Sequence, residues 1–180
     1  MIKVAFLDRD GTINADYGYV VTREQFEFAD GIFEVCHLLQ DLGYKLIVVT
    51  NQSGIARGYY SEQDFLELSK WMYGQFDKQG VPLLDLFYCP HHPQALVSCY
   101  RKTCRCRKPS PGMIEQACDK YSIDLKKSIM IGDRVSDMQA AKAGGIGKFY
   151  LLNHKIVVPN ELGVSAQLDN LKQFKCSDFS

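Results

Sequence analysis

Short apolar runs that break off in polar clusters alternate along this chain with stretches whose apolar residues recur every three or four positions. Residues 2–7 are the first run and give way at once to Asp8, Arg9 and Asp10. Ile32, Val35, Cys36, Leu39 and Leu42 fall at helical spacing with Gly43 as a stop, which predicts a helix over 31–42. Leu46-Ile47-Val48-Val49 has the composition of a strand buried on both faces, here 45–50. Ser61-Glu62-Gln63-Asp64 resembles a capping box with Asp in its last place. The helix it opens carries Phe65, Leu68, Met72 and Phe76 and should stop near Gly80. Residues 83–89 read as a strand, and Pro111 opens a helix through Met113, Ile114, Ala117, Cys118 and Tyr121. A strand over 128–131, a helix over 136–143 and a strand over 148–152 complete the series.

This rhythm predicts an α/β protein: a doubly wound parallel sheet covered on both faces, with its ligand site at the carboxyl ends of the strands. Three predicted strands end in polar clusters that would converge there: 8–12, 50–54 and 132–134. No repeat, low-complexity segment or linker interrupts the chain, so 1–180 is expected to form one domain. Beyond about Pro159 the periodicity fades, and a loosely attached tail is expected.

With 46% hydrophobic residues in 180, a full core is within reach. Lys plus Arg and Asp plus Glu balance at 21 each, so no global basic field points to nucleic acid or an anionic membrane. A local positive site for an anion stays open. The first apolar run is too short for a signal-peptide core, and no stretch nears the roughly 20 apolar residues of a membrane helix. The expectation is a cytoplasmic monomer with neither nucleic acid nor membrane as partner. Four of the seven cysteines lie between 89 and 106 beside histidines, a grouping that in a cytosolic chain points to metal before disulfide. Cys36, Cys118 and Cys176 read as buried or tail thiols.

Asp8 and Asp10 stand two apart at a strand end, where two carboxylates can share a divalent cation. Oxygen ligands suit Mg²⁺. One carboxylate can attack phosphorus while the other moves a proton. Thr50 can offer a hydroxyl to a phosphate oxygen, Lys108 can neutralise a phosphoryl group, and Asp133 and Asp137 add carboxylates after a later strand. Each alone has an ordinary explanation, such as a solvated turn, a surface Lys or a helix N-cap by Asp133 or Ser136. All four in this order are much harder to explain so.

Asp8-Arg9-Asp10-Gly11-Thr12, Thr50, Lys108 and Gly132-Asp133-Arg134-Val135-Ser136-Asp137 resemble the motifs of the haloacid dehalogenase (HAD) superfamily over residues 2–150. The resemblance implies a Rossmann-like HAD fold and an aspartyl-phosphate formed on Asp8. It implies Asp10 as acid and then base, Mg²⁺ held by Asp8, Asp133 and the carbonyl of Asp10, and Thr50 and Lys108 on the phosphoryl oxygens.

Cys89-Pro90-His91 and Cys104-Arg105-Cys106 make a Cys₃His set, a common closed structural zinc site, although both pairs are tighter than zinc-finger spacing. His92 and Cys99 are rival ligands by position alone. The segment from Tyr88 to Pro109 looks like the zinc loop of one HAD subgroup, and that likeness selects Cys89, His91, Cys104 and Cys106 for Zn²⁺. The subgroup contains D-glycero-D-manno-heptose 1,7-bisphosphate 7-phosphatases and histidinol-phosphate phosphatases. Gly18-Tyr19-Val20 and 51–58 look like the heptose branch. This implies hydrolysis of the C7 phosphate of a heptose bisphosphate, a step towards nucleotide-activated heptose for lipopolysaccharide. Histidinol phosphate is the alternative substrate. An inactive zinc-stapled binding module and a nucleic-acid 3′-phosphatase are rivals disfavoured by the intact carboxylates and the neutral charge.

Only 41 residues separate Asp8 from Thr50 and 57 separate Thr50 from Lys108, which leaves no room for a cap domain. Short loops must then shape the site. The expected substrate contacts are Asp16, Tyr17, Gly18, Tyr19, Asn51, Gln52, Ser53, Arg107 and Arg134. Bidentate Arg–phosphate contact suits Arg107 to a second, uncleaved phosphate.

Overall fold

A computed structural model describes residues 1–153 and 155–179. Six parallel strands, β1 (Lys3–Leu7), β2 (Tyr44–Asn51), β3 (Leu83–Cys89), β4 (Ile129–Gly132), β5 (Lys148–Leu151) and β6 (Ala166–Gln167), lie in the order β3-β2-β1-β4-β5-β6. The chain winds outward from β1 in one direction and then from β4 in the other. The strand order therefore reverses between β1 and β4, where a crevice opens at the carboxyl ends.

Alternation along the strands supplies both faces of the sheet. Ala5 and Leu7 of β1 pack with Leu46, Val48 and the apolar stripes of α1 (Ile32–Asp41) and, past the four-residue α2 (Ser53–Ala56), of α3 (Glu62–Lys78). Val4 and Phe6 face the other way, onto α4 (Gly112–Lys120) and α5 (Val135–Ala143). The capping box at α3 is present: Ser61 Oγ accepts from the Asp64 N–H at 3.1 Å, and the Asp64 carboxylate accepts from the Ser61 N–H at 2.8 Å. Between Asp8 and β2 lie only loops and α1, so the site carries no cap there.

The segment after Pro159 is not a loose tail. Ala166 and Gln167 extend the sheet as β6, and Leu162, Leu171, Phe174 and Phe179 are buried. Phe174 and Phe179 stack at 4.9 Å and meet the edge of Tyr150, while the Tyr44 hydroxyl donates to the Phe179 carbonyl at 3.1 Å. Single apolar residues on short 3₁₀ turns do this packing, which is why no periodicity announced it.

Candidate active site

The switch in strand order between β1 and β4 places Asp8 and Asp133 side by side. Gly11, at φ 88°, lets the loop after β1 turn back against them; a Cβ there would lie 2.3 Å from Asp133 Oδ2. Lys108 reaches in from the far side. Its Nζ donates to Asp8 Oδ1 at 2.7 Å and the Val49 carbonyl at 2.8 Å, and it pairs with Asp137 Oδ1 at 2.7 Å. All three ammonium donors are thus used. Asp137 was read from the sequence only as part of a motif, yet here it is a buried partner of the site lysine. Its Oδ2 accepts the Arg134 N–H at 3.0 Å, so α5 is capped by the same side chain, not by Asp133 or Ser136.

Three carboxylates, Asp8, Asp133 and Asp137, have oxygens within 4.8 Å of one another and face one ammonium. At Asp8 and Asp133 burial comes first in the titration, and the neighbouring carboxylates add to it. Burial pushes Asp8 well above the usual carboxylate range; Lys108 opposes this, and Asp137 and Asp133 add to it. Asp133 is pushed up to about 6 by burial and then by Asp137, with Arg134 opposing. Burial would lower Lys108, but Asp137 and Asp8 outweigh it and hold the amine protonated. Asp133 Oδ1 is buried without a hydrogen-bond partner. An orphaned carboxylate oxygen beside a second carboxylate fits a divalent cation.

Asp10 lies apart from this group. Arg9 Nε donates to its Oδ2 at 3.1 Å and Arg9 Nη2 to its Oδ1 at 2.7 Å, while Asn14 Nδ2 and Gln52 Nε2 add bonds at 3.1 and 3.0 Å. Gln52 is itself fixed: Nε2 also donates to Thr50 Oγ1 at 2.8 Å, and the Tyr60 hydroxyl donates to its Oε1 at 2.6 Å.

A cleft of about 550 Å³ opens over these groups, lined among others by Asp8, Asp10, Asp16, Gly18, Tyr19, Thr50, Asn51, Gln52, Ser53, Arg107, Lys108 and Arg134. Of the residues expected at the substrate, Tyr17 is the exception. It does not line the cleft; it is exposed, and its hydroxyl donates to Glu27. Asn51 and Gln52 line the cleft, but their amides are engaged by the Lys108 backbone and by Asp10. Tyr60, Pro109, Ser136 and Asp137 also line it, and nothing in the sequence marked them as substrate contacts. Arg134 Nη2 pairs with Asp16 Oδ2 at 2.8 Å across the mouth, and Arg107 Nη1 donates to the His91 carbonyl at 3.3 Å.

That last bond reaches the second cluster. Cys89, His91, Cys104 and Cys106 bring their ligand atoms within 4.8 Å of one another. Cys106 Sγ lies 3.1 Å from both Cys89 Sγ and Cys104 Sγ and 3.4 Å from His91 Nδ1. These separations are far beyond a disulfide's roughly 2.05 Å. His92 is turned away and accepts from the Gln94 N–H, and Cys99 is exposed.

The sheet order, the aspartates at the switch point and the lysine opposite them define a phosphatase of the HAD class, and a HAD-hydrolase-like family model matches residues 105–153. Two curated relatives come from Photorhabdus laumondii. Its D-glycero-alpha-D-manno-heptose-1,7-bisphosphate 7-phosphatase is 48% identical over 162 residues, 89% of this chain and 88% of the relative. Its D-glycero-beta-D-manno-heptose-1,7-bisphosphate 7-phosphatase is also 48% identical, over 167 residues, 93% and 89% of the two chains. Among solved structures, the D,D-heptose 1,7-bisphosphate phosphatase of B. bronchiseptica, complexed with magnesium and phosphate, superposes with a TM-score of 0.79 at 27% identity over 94% of each chain. The chain belongs to the D-glycero-D-manno-heptose-1,7-bisphosphate 7-phosphatase family.

Proposed function

We propose that this protein hydrolyses the C7 phosphate of D-glycero-D-manno-heptose 1,7-bisphosphate, acting as a single domain over 1–180. The observation that carries the reading is the charge layout of one uncapped cleft. Asp8 and Lys108 lie at its floor with Asp133 beside Asp8, and two guanidinium groups, Arg107 and Arg134, line it. A substrate with two phosphates uses both regions; histidinol phosphate has only one. Asp16, Gly18, Tyr19 and Ser53 border the space left for the sugar.

In this reading an oxygen of Asp8 attacks phosphorus. Asp10 protonates the departing sugar oxygen and then takes a proton from the water that hydrolyses the aspartyl-phosphate. Lys108 and the Thr50 hydroxyl steady the phosphoryl oxygens. Asp8, Asp133 and the Asp10 carbonyl would hold Mg²⁺, which when bound supplies positive charge to the phosphoryl group. Cys89, His91, Cys104 and Cys106 would hold Zn²⁺ as a closed structural site, because four protein ligands leave no position for a substrate. The free thiols favour a reducing compartment, and we place the enzyme in the cytoplasm as a monomer. No described helix is long and apolar enough to cross a membrane.

Phosphate release from both anomers of the heptose bisphosphate and from histidinol phosphate, side by side with Mg²⁺, tests the reading. At equal identity to an alpha and a beta enzyme, both anomers belong in the assay. The bisphosphate should exceed histidinol phosphate by about tenfold to a hundredfold in kcat/KM, what a charge-assisted contact to the second phosphate confers. Asp8→Asn should reduce release to background. Preference for histidinol phosphate, or activity of Asp8→Asn within tenfold of wild type, would overturn it.

A further inference from the structure

A carboxylate offers about four lone-pair sites. At Asp10 the protein fills all of them: Arg9 Nη2 and Asn14 Nδ2 on Oδ1, Arg9 Nε and Gln52 Nε2 on Oδ2. A carboxyl group that is to hand a proton to a leaving oxygen must carry it on one of those sites, so one donor must first withdraw. The four are not equivalent in their freedom to do so.

Arg9 has no retreat. It is 1% exposed, and its guanidinium carbon lies 5.9 Å and 5.6 Å from the ring centroids of Phe26 and Phe65. Its Nη2 is tied a second time, to the Val20 carbonyl at 2.7 Å, at the end of the loop that carries Asp16, Gly18 and Tyr19 to the cleft. Asn14 is equally buried, and its Nδ2 also donates to the Ala15 carbonyl at 2.9 Å. Gln52 is as buried and its Nε2 likewise has a second acceptor, Thr50 Oγ1, but of the three residues it alone lines the cleft, where a substrate oxygen can take its place on Oδ2. Arg9 Nη1 is buried with no acceptor, a cost that a purely structural Arg9 would carry without return.

We propose that Arg9 is a positioning residue for Asp10. It clamps the carboxylate so that Oδ2, on the side facing Gln52 and the cleft, is the oxygen that delivers the proton. The inference rests on the reading of Asp10 as the acid. In that step a bond forms from an Asp8 oxygen to phosphorus and the bond from phosphorus to the sugar oxygen breaks. Its electron pair goes to that oxygen, which takes the proton of Asp10. An ester that leaves as p-nitrophenolate needs no proton, so its transfer should not depend on where Asp10 points.

Stopped-flow first-turnover rates with the Mg²⁺-loaded protein separate the two cases, using heptose 1,7-bisphosphate and p-nitrophenyl phosphate. Arg9→Met should slow transfer from the sugar ester at least about a hundredfold, within the range for proton transfer, and leave the p-nitrophenolate burst within about threefold. Arg9→Lys, which keeps the charge without the two-point fork, should recover part of the sugar-ester rate. Equal slowing on both esters in folded, zinc-replete protein would overturn the proposal and leave Arg9 a structural staple, and so would no slowing on either. Should Arg9→Met fail to fold, Arg9→Lys decides: a tenfold fall in the ratio of the two rates supports the proposal, and an unchanged ratio overturns it. Asp10→Asn is the control. If it shows no split between the esters, the acid assignment fails and the proposal with it; if it splits and the Arg9 variants do not, only the proposal falls.

Discussion

Asn51 grips the backbone of Lys108 from both sides: its Nδ2 donates to the Lys108 carbonyl at 3.1 Å, and its Oδ1 accepts the Lys108 N–H at 3.0 Å. A side-chain amide thus takes the part of a neighbouring strand for one residue, at the last pair of β2 and β3, Asn51 with Cys89. The clamp holds the peptide from which the lysine reaches the Asp8 carboxylate. Asn51→Ala should therefore lower kcat more than it raises KM, by about tenfold or more, because a misplaced ammonium weakens charge stabilisation during transfer. Two lost hydrogen bonds should also reduce stability by about 1–2 kcal/mol. Steady-state kinetics with urea unfolding checks both, and an unchanged kcat would remove Asn51 from this role.

Asp133 presents the opposite balance, a residue whose ionised form strains the metal-free fold. Its folded value near 6 lies above the roughly 3.9 of an unfolded aspartate. Between those values the folded state binds more protons than the unfolded one, so this group's contribution to stability improves as pH falls through 6 and levels off below about 4. Above pH 6 the penalty is present in full. Asp133→Asn should therefore raise the Tm of metal-free protein at pH 7.5 and show a smaller gain on acidification than wild type. The same variant should lose the Tm increase that Mg²⁺ gives the wild type. Thermal scans at pH 5.5 and 7.5, with and without Mg²⁺, would show it; a full Mg²⁺ response in the variant would rule Asp133 out as a ligand.

The two metal sites should separate cleanly on chelation. In the proposed reading Cys104 is one of four protein ligands that leave no open position, so a metal there would contribute to folding free energy and not to the reaction. Cys104→Ser should lower zinc content and Tm together. Removing Mg²⁺ with a weak chelator should instead stop turnover reversibly and leave the circular dichroism unchanged. Elemental analysis without zinc, on protein purified in the absence of chelator, would refute the assignment of the four ligands.

Strand ends were the most legible part of this molecule. An apolar run that stops at Asp8, Thr50 or Gly132 marks both the strand and the place where its polar residues must gather, and the sheet brings all three to one edge. The four side chains that meet in the 89–106 loop were singled out by the family likeness, because position alone left His92 and Cys99 as rivals. Networks built across distant segments were not. Arg9 carries no role of its own in the sequence, and only the arrival of Phe26, Phe65 and the Val20 carbonyl makes it a buried clamp on Asp10. Asn51 and Gln52 read as substrate contacts because their segment resembles the heptose branch and short loops must shape the site, and nothing local reveals that Lys108 and Asp10 engage them first. The C-terminal segment escaped notice because Leu171, Phe174 and Phe179 meet the core singly.

Arg107 offers the sharpest test of substrate choice. Lys108 beside it is occupied with Asp8, Asp137 and the Val49 carbonyl at the floor of the cleft. Arg107 lines the same cleft one residue earlier, and its Nη1 is anchored on the His91 carbonyl of the cysteine–histidine loop. A guanidinium has five N–H donors, so this anchor leaves others to meet a phosphate that is not being cleaved. Charge-assisted contacts of this kind contribute about 1.5–3 kcal/mol, or roughly tenfold to a hundredfold in kcat/KM. Arg107→Ala should impose that loss on the heptose 1,7-bisphosphate and spare the 7-monophosphate, which has no second anion to hold. The groups at the cleft floor are untouched by the change, so a general failure of chemistry is not expected. Kinetics of the variant on both esters decides the matter: an equal loss on the two would mean that Arg107 serves the reacting phosphate or the loop, and the second phosphate would need another partner, with Arg134 next in line.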